Sequence, residues 1–135
     1  VPLIVAPPDI EADVIADLRA ASLTATVGWE IKGPWPCLQV LRVGGTPDVI
    51  LRVDQALIQL SAWGDPNDQS SAQRIALSAL LASADARLVG HMSGTTTSRG
   101  VYGRVLPVTR GQWAPDDSTH QQRYLSRHLV AAHAV

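Results

Sequence analysis

The segment Ala114-Pro115-Asp116-Asp117-Ser118-Thr119-His120 gathers two carboxylates, hydroxyls and an imidazole, the ingredients of acid–base or nucleophilic hydrolysis. Such catalysis needs a pocket that tunes its groups, and a turn tip seldom supplies one. Pro, Asp and Ser are also what a tight turn asks for, because Asp and Ser side chains bond their own backbone. The segment therefore reads first as a turn, with a small hydrolase using Asp116, Asp117 and His120 as the enzymatic alternative. Gly44-Gly45 in "LRVGGTPD" and the Gly/Thr-rich "GHMSGTTTSRG" raise a second chemistry, phosphate binding through free amides. A dinucleotide fingerprint leads from a strand straight into a helix, but these glycines lead into "TPDVILRV", another strand-forming run. A P-loop needs a lysine followed by Ser or Thr, and the Gly/Thr segment has no lysine. Gly44 and Gly45 are thus expected to form the turn between two strands, extended by Thr46, Pro47 and Asp48, and no cofactor is expected.

Metal binding requires imidazoles that converge on one point. His128 and His133 lie an odd number of positions apart, so on a regular strand they point to opposite faces, while His91 and His120 fall in loop-like sequence. No metal site is expected. Cys37 is alone, which excludes an intrachain disulfide and a cysteine-rich zinc site. Trp29, Trp63 and Trp113 sit near strand ends, where they cap the sheet edges or, as the alternative, anchor an interface.

The elements that must position these residues follow from periodicity. After Pro7-Pro8 and Asp9, the run "IEADVIADLRAASL" repeats Ile10, Val14, Leu18 and Ala21 at helical spacing, with Glu11 and Asp13 at the positive end of the dipole. "TATVGWEI" reads as a short strand broken by "KGPWP", and "CLQVLRV" as a strand without a clean wet side. "VILRVDQALIQLSAW" carries the firmest strand signal, Ala56, Ile58, Leu60 and Ala62 facing one way and Gln55, Gln59 and Ser61 the other. At "GDPNDQSS" Asp65 is a candidate cap, with Pro66 in the first turn, for an Ala-rich helix running through Arg87. Its apolar residues occupy more than one side, so it is expected to be sandwiched or packed against another subunit. Residues 90–100 form a flexible loop, "VYGRVLPVTRGQW" is an edge or bulged strand, and "RYLSRHLVAAHA" is the terminal strand. The expected fold is α+β, a mainly antiparallel β-sheet with two α-helices packed on one face.

At 135 residues the chain suits one domain, residues 1–135, and no repeat or linker divides it. Hydrophobic residues make up 46% and charged residues 17%, a globular balance. Eleven basic residues against twelve acidic ones, with Lys32 the only lysine, leave no basic stripe for gripping nucleic acid, so a DNA-binding module is disfavoured. The opening "VPLIVAPP" breaks at its prolines far short of a membrane span and reads as an N-terminal arm, residues 1–8, without membrane contact.

Taken together, "PDIEADVIADLRA", "GPWPCLQVLRVGGT", "RVDQALIQLSAWG", the Ala-rich helix, "WAPDD" and "RYLSRHLV" resemble the tail terminator proteins of long-tailed, siphovirus-type phages, particularly those infecting actinobacteria. The similarity covers nearly the whole chain, and its motifs carry no chemistry. The resemblance implies a non-enzymatic virion protein, made in the host cytoplasm, that forms a hexameric ring at the head-proximal end of the tail. There it stops tube polymerisation and presents a joining surface to head-completion proteins, while DNA passes through the lumen without specific binding. Its expected partners are copies of itself, the tail-tube protein and a head-completion or connector protein. Thr95, Thr96, Thr97 and Arg99 are the expected contacts with a neighbouring subunit or the tube, because the loop is long and polar. Another head–tail connector, such as a stopper or a minor tail protein, is the close alternative. Ser126, Arg127 and His128 interrupt the apolar alternation expected of the terminal strand.

Overall fold

Asp9 starts helix α1 (Ile10–Ala20) by accepting the amide of Ala12 at 3.0 Å, which satisfies one of the free donors of the first turn. The computed structural model describes residues 9–48, 53–97 and 100–133; the arm at residues 1–8 and Arg99 lie outside them. After α1 come β1 (Thr26–Gly28), β2 (Cys37–Asp48), β3 (Val53–Trp63) and helix α2 (Ser71–Arg87), which runs on into a π-helical turn at Leu88–Met92. The chain then adds β4 (Val101–Tyr102), β5 (Leu106–Trp113) and β6 (Arg123–His133).

The strands form one sheet in the order β1-β2-β3-β6, with β4 and β5 both lying along the outer side of β6. β2 with β3, β3 with β6, and β6 with β4 and β5 are antiparallel. β1 instead pairs parallel with β2, Thr26 opposite Cys37, because residues 29–36 carry the chain back to the level at which β1 began. Both helices cover one sheet face. Ile10, Val14 and Leu18 of α1 and Leu77, Leu81 and Ala84 of α2 bury against Leu38, Val40, Ala56, Ile58, Leu60 and Val130. The four inward positions expected on β3 are all fully buried. This is the α+β sandwich that the periodicities predict, with a mixed sheet.

Three local expectations are corrected. Gly44 and Gly45 do not turn the chain: β2 runs through them to Asp48. The register between β2 and β3 shifts between Arg42 and Gly44, which leaves Val43 as the extra residue of a bulge, and Gly44 and Gly45, the latter at φ +112°, follow it still paired with β3. Ser70, not Asp65, caps α2, accepting the Gln73 amide at 3.2 Å, while Asp65 and Asp68 tie down the preceding turn through the amides of Asn67 and Ser70. The start of the segment 90–100 is also not loop, because Leu88 and Met92 bury and hold one further helical turn.

Candidate functional site

The side chains that α1, the π-helical turn and residues 93–97 bring together surround a cleft of about 390 Å³. Its floor is polar and fixed. Asp13, buried in the first turn of α1, accepts hydrogen bonds from the hydroxyls of Tyr102 and of Thr97, the latter at 3.0 Å. One turn on, Asp17 holds Arg87 through two contacts at 3.2 and 3.3 Å and His91 Nδ1 at 2.8 Å. Thr95 donates to the Met92 carbonyl at 2.7 Å, and Thr97 also accepts the Gly100 amide at 3.1 Å. Of the loop residues nominated from the sequence, Thr95, Thr96 and Thr97 therefore line one cleft. Thr95 and Thr97 spend their hydroxyls on folding the loop, and Thr96 is the exposed member.

A second polar cluster sits between α2 and β6. Ser126 donates to Asp85 Oδ1 at 2.6 Å, and His128 Nε2 lies 3.5 Å from the same oxygen. His128 is almost wholly enclosed, and its Nδ1 has no hydrogen-bond partner among the described residues. Burial pushes the Asp85 carboxyl up to about 6, opposed by the Ser126 hydrogen bond, and pushes the His128 imidazole down to about 4. The carboxylate stands between the hydroxyl and the imidazole, so the imidazole does not reach the serine oxygen. The order needed for an activated nucleophile is absent. Arg42 and Asp54 make the third cluster, a two-pronged pair at 2.6 and 2.7 Å with Asp54 buried.

The acid–base candidates of the segment 114–120 form a turn. Asp116 Oδ2 accepts the amides of Ser118 and Thr119 and both hydroxyls, at 2.7–3.2 Å, which holds its carboxyl down at about 2. A carboxylate committed to four local donors is a poor proton acceptor for a substrate. His120 lies in the same turn at φ 59°, donating its amide to the Asp116 carbonyl. Among the described residues no group of three or more His, Cys, Asp or Glu side chains is placed to share a metal ion. Cys37 is fully buried, and burial pushes its thiol up.

What the molecule offers to a partner is surface. Trp29, Ile31, Val43, Ile75, Leu106 and Val108 are exposed, Trp29 at 61% and Ile75 at 71%. Trp63 and Trp113 instead pack at the strand ends, under the guanidiniums of Arg123 and Arg74 at 4.8 and 4.2 Å. The outer side of α2 presents Ala72, Ile75, Ala76, Ala79, Ala82 and Ser83, bordered by shallow clefts of about 320–510 Å³. The span Ser71–Met92 is long and apolar enough to cross a membrane by length and composition, but Leu77, Leu81, Ala84 and Leu88 belong to the sheet's core.

The buried polar clusters escape sequence reasoning because each joins residues distant in the chain, Asp13 with Tyr102 and Asp85 with His128. The one usable signal was the interruption of the terminal strand's alternation: Ser126 and His128 occupy inward positions and need a polar partner there.

No protein-family model and no curated protein matches the sequence. Among solved structures, the fold is similar to that of a chain in the virion of a native gene transfer agent particle, with a TM-score of 0.66 and 20% identity. The likeness covers 98% of this chain and 100% of that one, so the two share one fold from end to end.

Proposed function

We propose that this chain is a non-enzymatic structural protein of a phage-like virion, a tail terminator that closes into a ring on the head-proximal end of the tail tube. The observation that carries the reading is the likeness in fold to a virion chain, over 98% of this chain and 100% of that one. The chain-wide resemblance to terminators of long-tailed phages supports the finer role. So does the surface: polar groups that resemble catalytic sets are spent on turns and the core, while apolar side chains stand in solvent.

In this reading the action is steric. The ring covers the last layer of tail-tube subunits, stops their addition, and offers its other face to a head-completion protein. A cyclic ring uses head-to-tail contacts, so the two flanks of each subunit differ and complement each other. Thr96 and Arg99 are the contacts with the neighbour or the tube, and Thr95 and Thr97 shape the loop around Thr96. A net charge of −1 suits a lumen through which DNA slides without being held. Imaging of labelled protein on intact particles tests the assignment. Label at the junction of tail tube and head completion is expected; label at the portal or at the distal tip would contradict it.

A further inference from the structure

Among the described residues the sheet has two open edges. Among the described residues no strand pairs with the outer side of β5, and β1 covers β2 only from Cys37 to Gln39. Beyond Gln39, on the outer side of β2, the Arg42 amide donates to Glu11 Oε2 at 2.8 Å. Free edges usually carry lysine or are covered, because an uncovered edge recruits another strand. These two carry apolar side chains in solvent, Val43 at 45% exposure on β2, and Leu106 at 43% and Val108 at 57% on β5.

We propose that the outer edge of β5 pairs antiparallel with the open stretch Val40–Gly45 of β2 in a second copy of this chain, joining neighbours head to tail. The inference rests on the ring reading and specifies which surfaces close the ring. Strand direction supports it. β2, β3, β6 and β5 are successively antiparallel, so β5 runs opposite to β2. Rotation about an axis along the strands preserves their direction, so β5 of one copy meets β2 of the next in antiparallel fashion. Height agrees as well. Leu106, Leu129, Leu57 and Gly44 form one row across the sheet, and Thr109, Arg127, Gln59 and Leu41 another. The exposed run of β5 and the open run of β2 therefore stand at the same level, where a rotation without translation brings them together.

Charge favours this partner over an unrelated strand. Arg104 and Arg110 flank Leu106 and Val108, both exposed and without an acidic partner among the described residues. The β2 side presents Asp9 and Glu11 at the start of α1, beside Arg42. Pro107 and the register shifts in β5 limit how long a ladder can grow, which leaves side-chain packing and charge to select the partner.

Cysteine pairs test the contact. Val43→Cys is combined with Leu106→Cys and, separately, with Val108→Cys, so that the two pairs bracket the register. Mild oxidation of assembled protein is read by non-reducing electrophoresis, and native mass is measured in parallel. A covalent ladder rising by whole subunits in a double variant, absent from each single variant, is the expected result. Arg104→Glu with Arg110→Glu should raise the concentration needed for assembly at least tenfold while leaving the circular dichroism spectrum unchanged. Rings without a ladder in either pair would overturn this contact and leave the ring reading standing. A protein that stays monomeric even on tail tubes would overturn both.

Discussion

Asp85 and His128 share one buried space and have opposite pH dependences. Between roughly pH 6.5 and 4 the unfolded chain protonates His128 while the folded chain does not, so this residue destabilises the fold as pH falls. Asp85 does the reverse: from about 6 down to the ordinary carboxylate range the folded chain holds a proton that the unfolded chain has lost. The two contributions offset each other between about pH 4 and 6. Asp85→Asn removes the compensation and keeps an acceptor for Ser126. Its stability should drop between pH 7 and 4.5 by roughly 2 kcal/mol more than that of the parent chain. Urea unfolding at the two pH values measures the difference, and parallel losses in the two proteins would contradict the coupling.

Among the elements, β2 shows how a glycine pair can be read correctly as a break and assigned to the wrong one. A Cβ at Gly45 would stand 1.9 Å from the Gln55 carbonyl oxygen at a φ of +112°, whereas a Cβ at Gly44 would meet Leu57 at an ordinary 3.7 Å. Gly45→Ala should therefore cost roughly 2–3 kcal/mol through backbone strain and displacement of β3. Gly44→Ala should stay within about 0.5 kcal/mol. Equal thermal shifts in the two variants would mean that the bulge is not where the structure has it. The amphipathic patterns of α1 and β3 were legible because each element's own residues carry its period, and Asp9 marked its helix without help. The bulge was not, since only the facing strand distinguishes it from a turn. The extra turn at Leu88–Met92 likewise depends on burying Leu88 and Met92 in a core that no local window contains. The cleft behind Thr95, Thr96 and Thr97 was half legible: loop polarity nominated the threonines, but Asp13 and Asp17, which line it, and Tyr102, which bonds Asp13, come from elsewhere in the chain.

At the scale of the molecule, the chain devotes its buried polar chemistry to holding a sheet and two helices and leaves apolar side chains on β2, β5 and the outer side of α2. Such a distribution suits assembly; in the proposed ring one flank would meet the next subunit and the loop carrying Thr96 would be left for the tube. Net charge near zero leaves association to shape and local charge rather than to long-range attraction. The most direct test of the central claim adds the purified protein to tail-tube subunits during polymerisation and measures tube lengths by electron microscopy. A terminator should arrest growth, shortening the mean tube length as its proportion to tube subunits rises, with a ring visible at one end only. Unchanged lengths with bare ends at saturating protein would contradict the account.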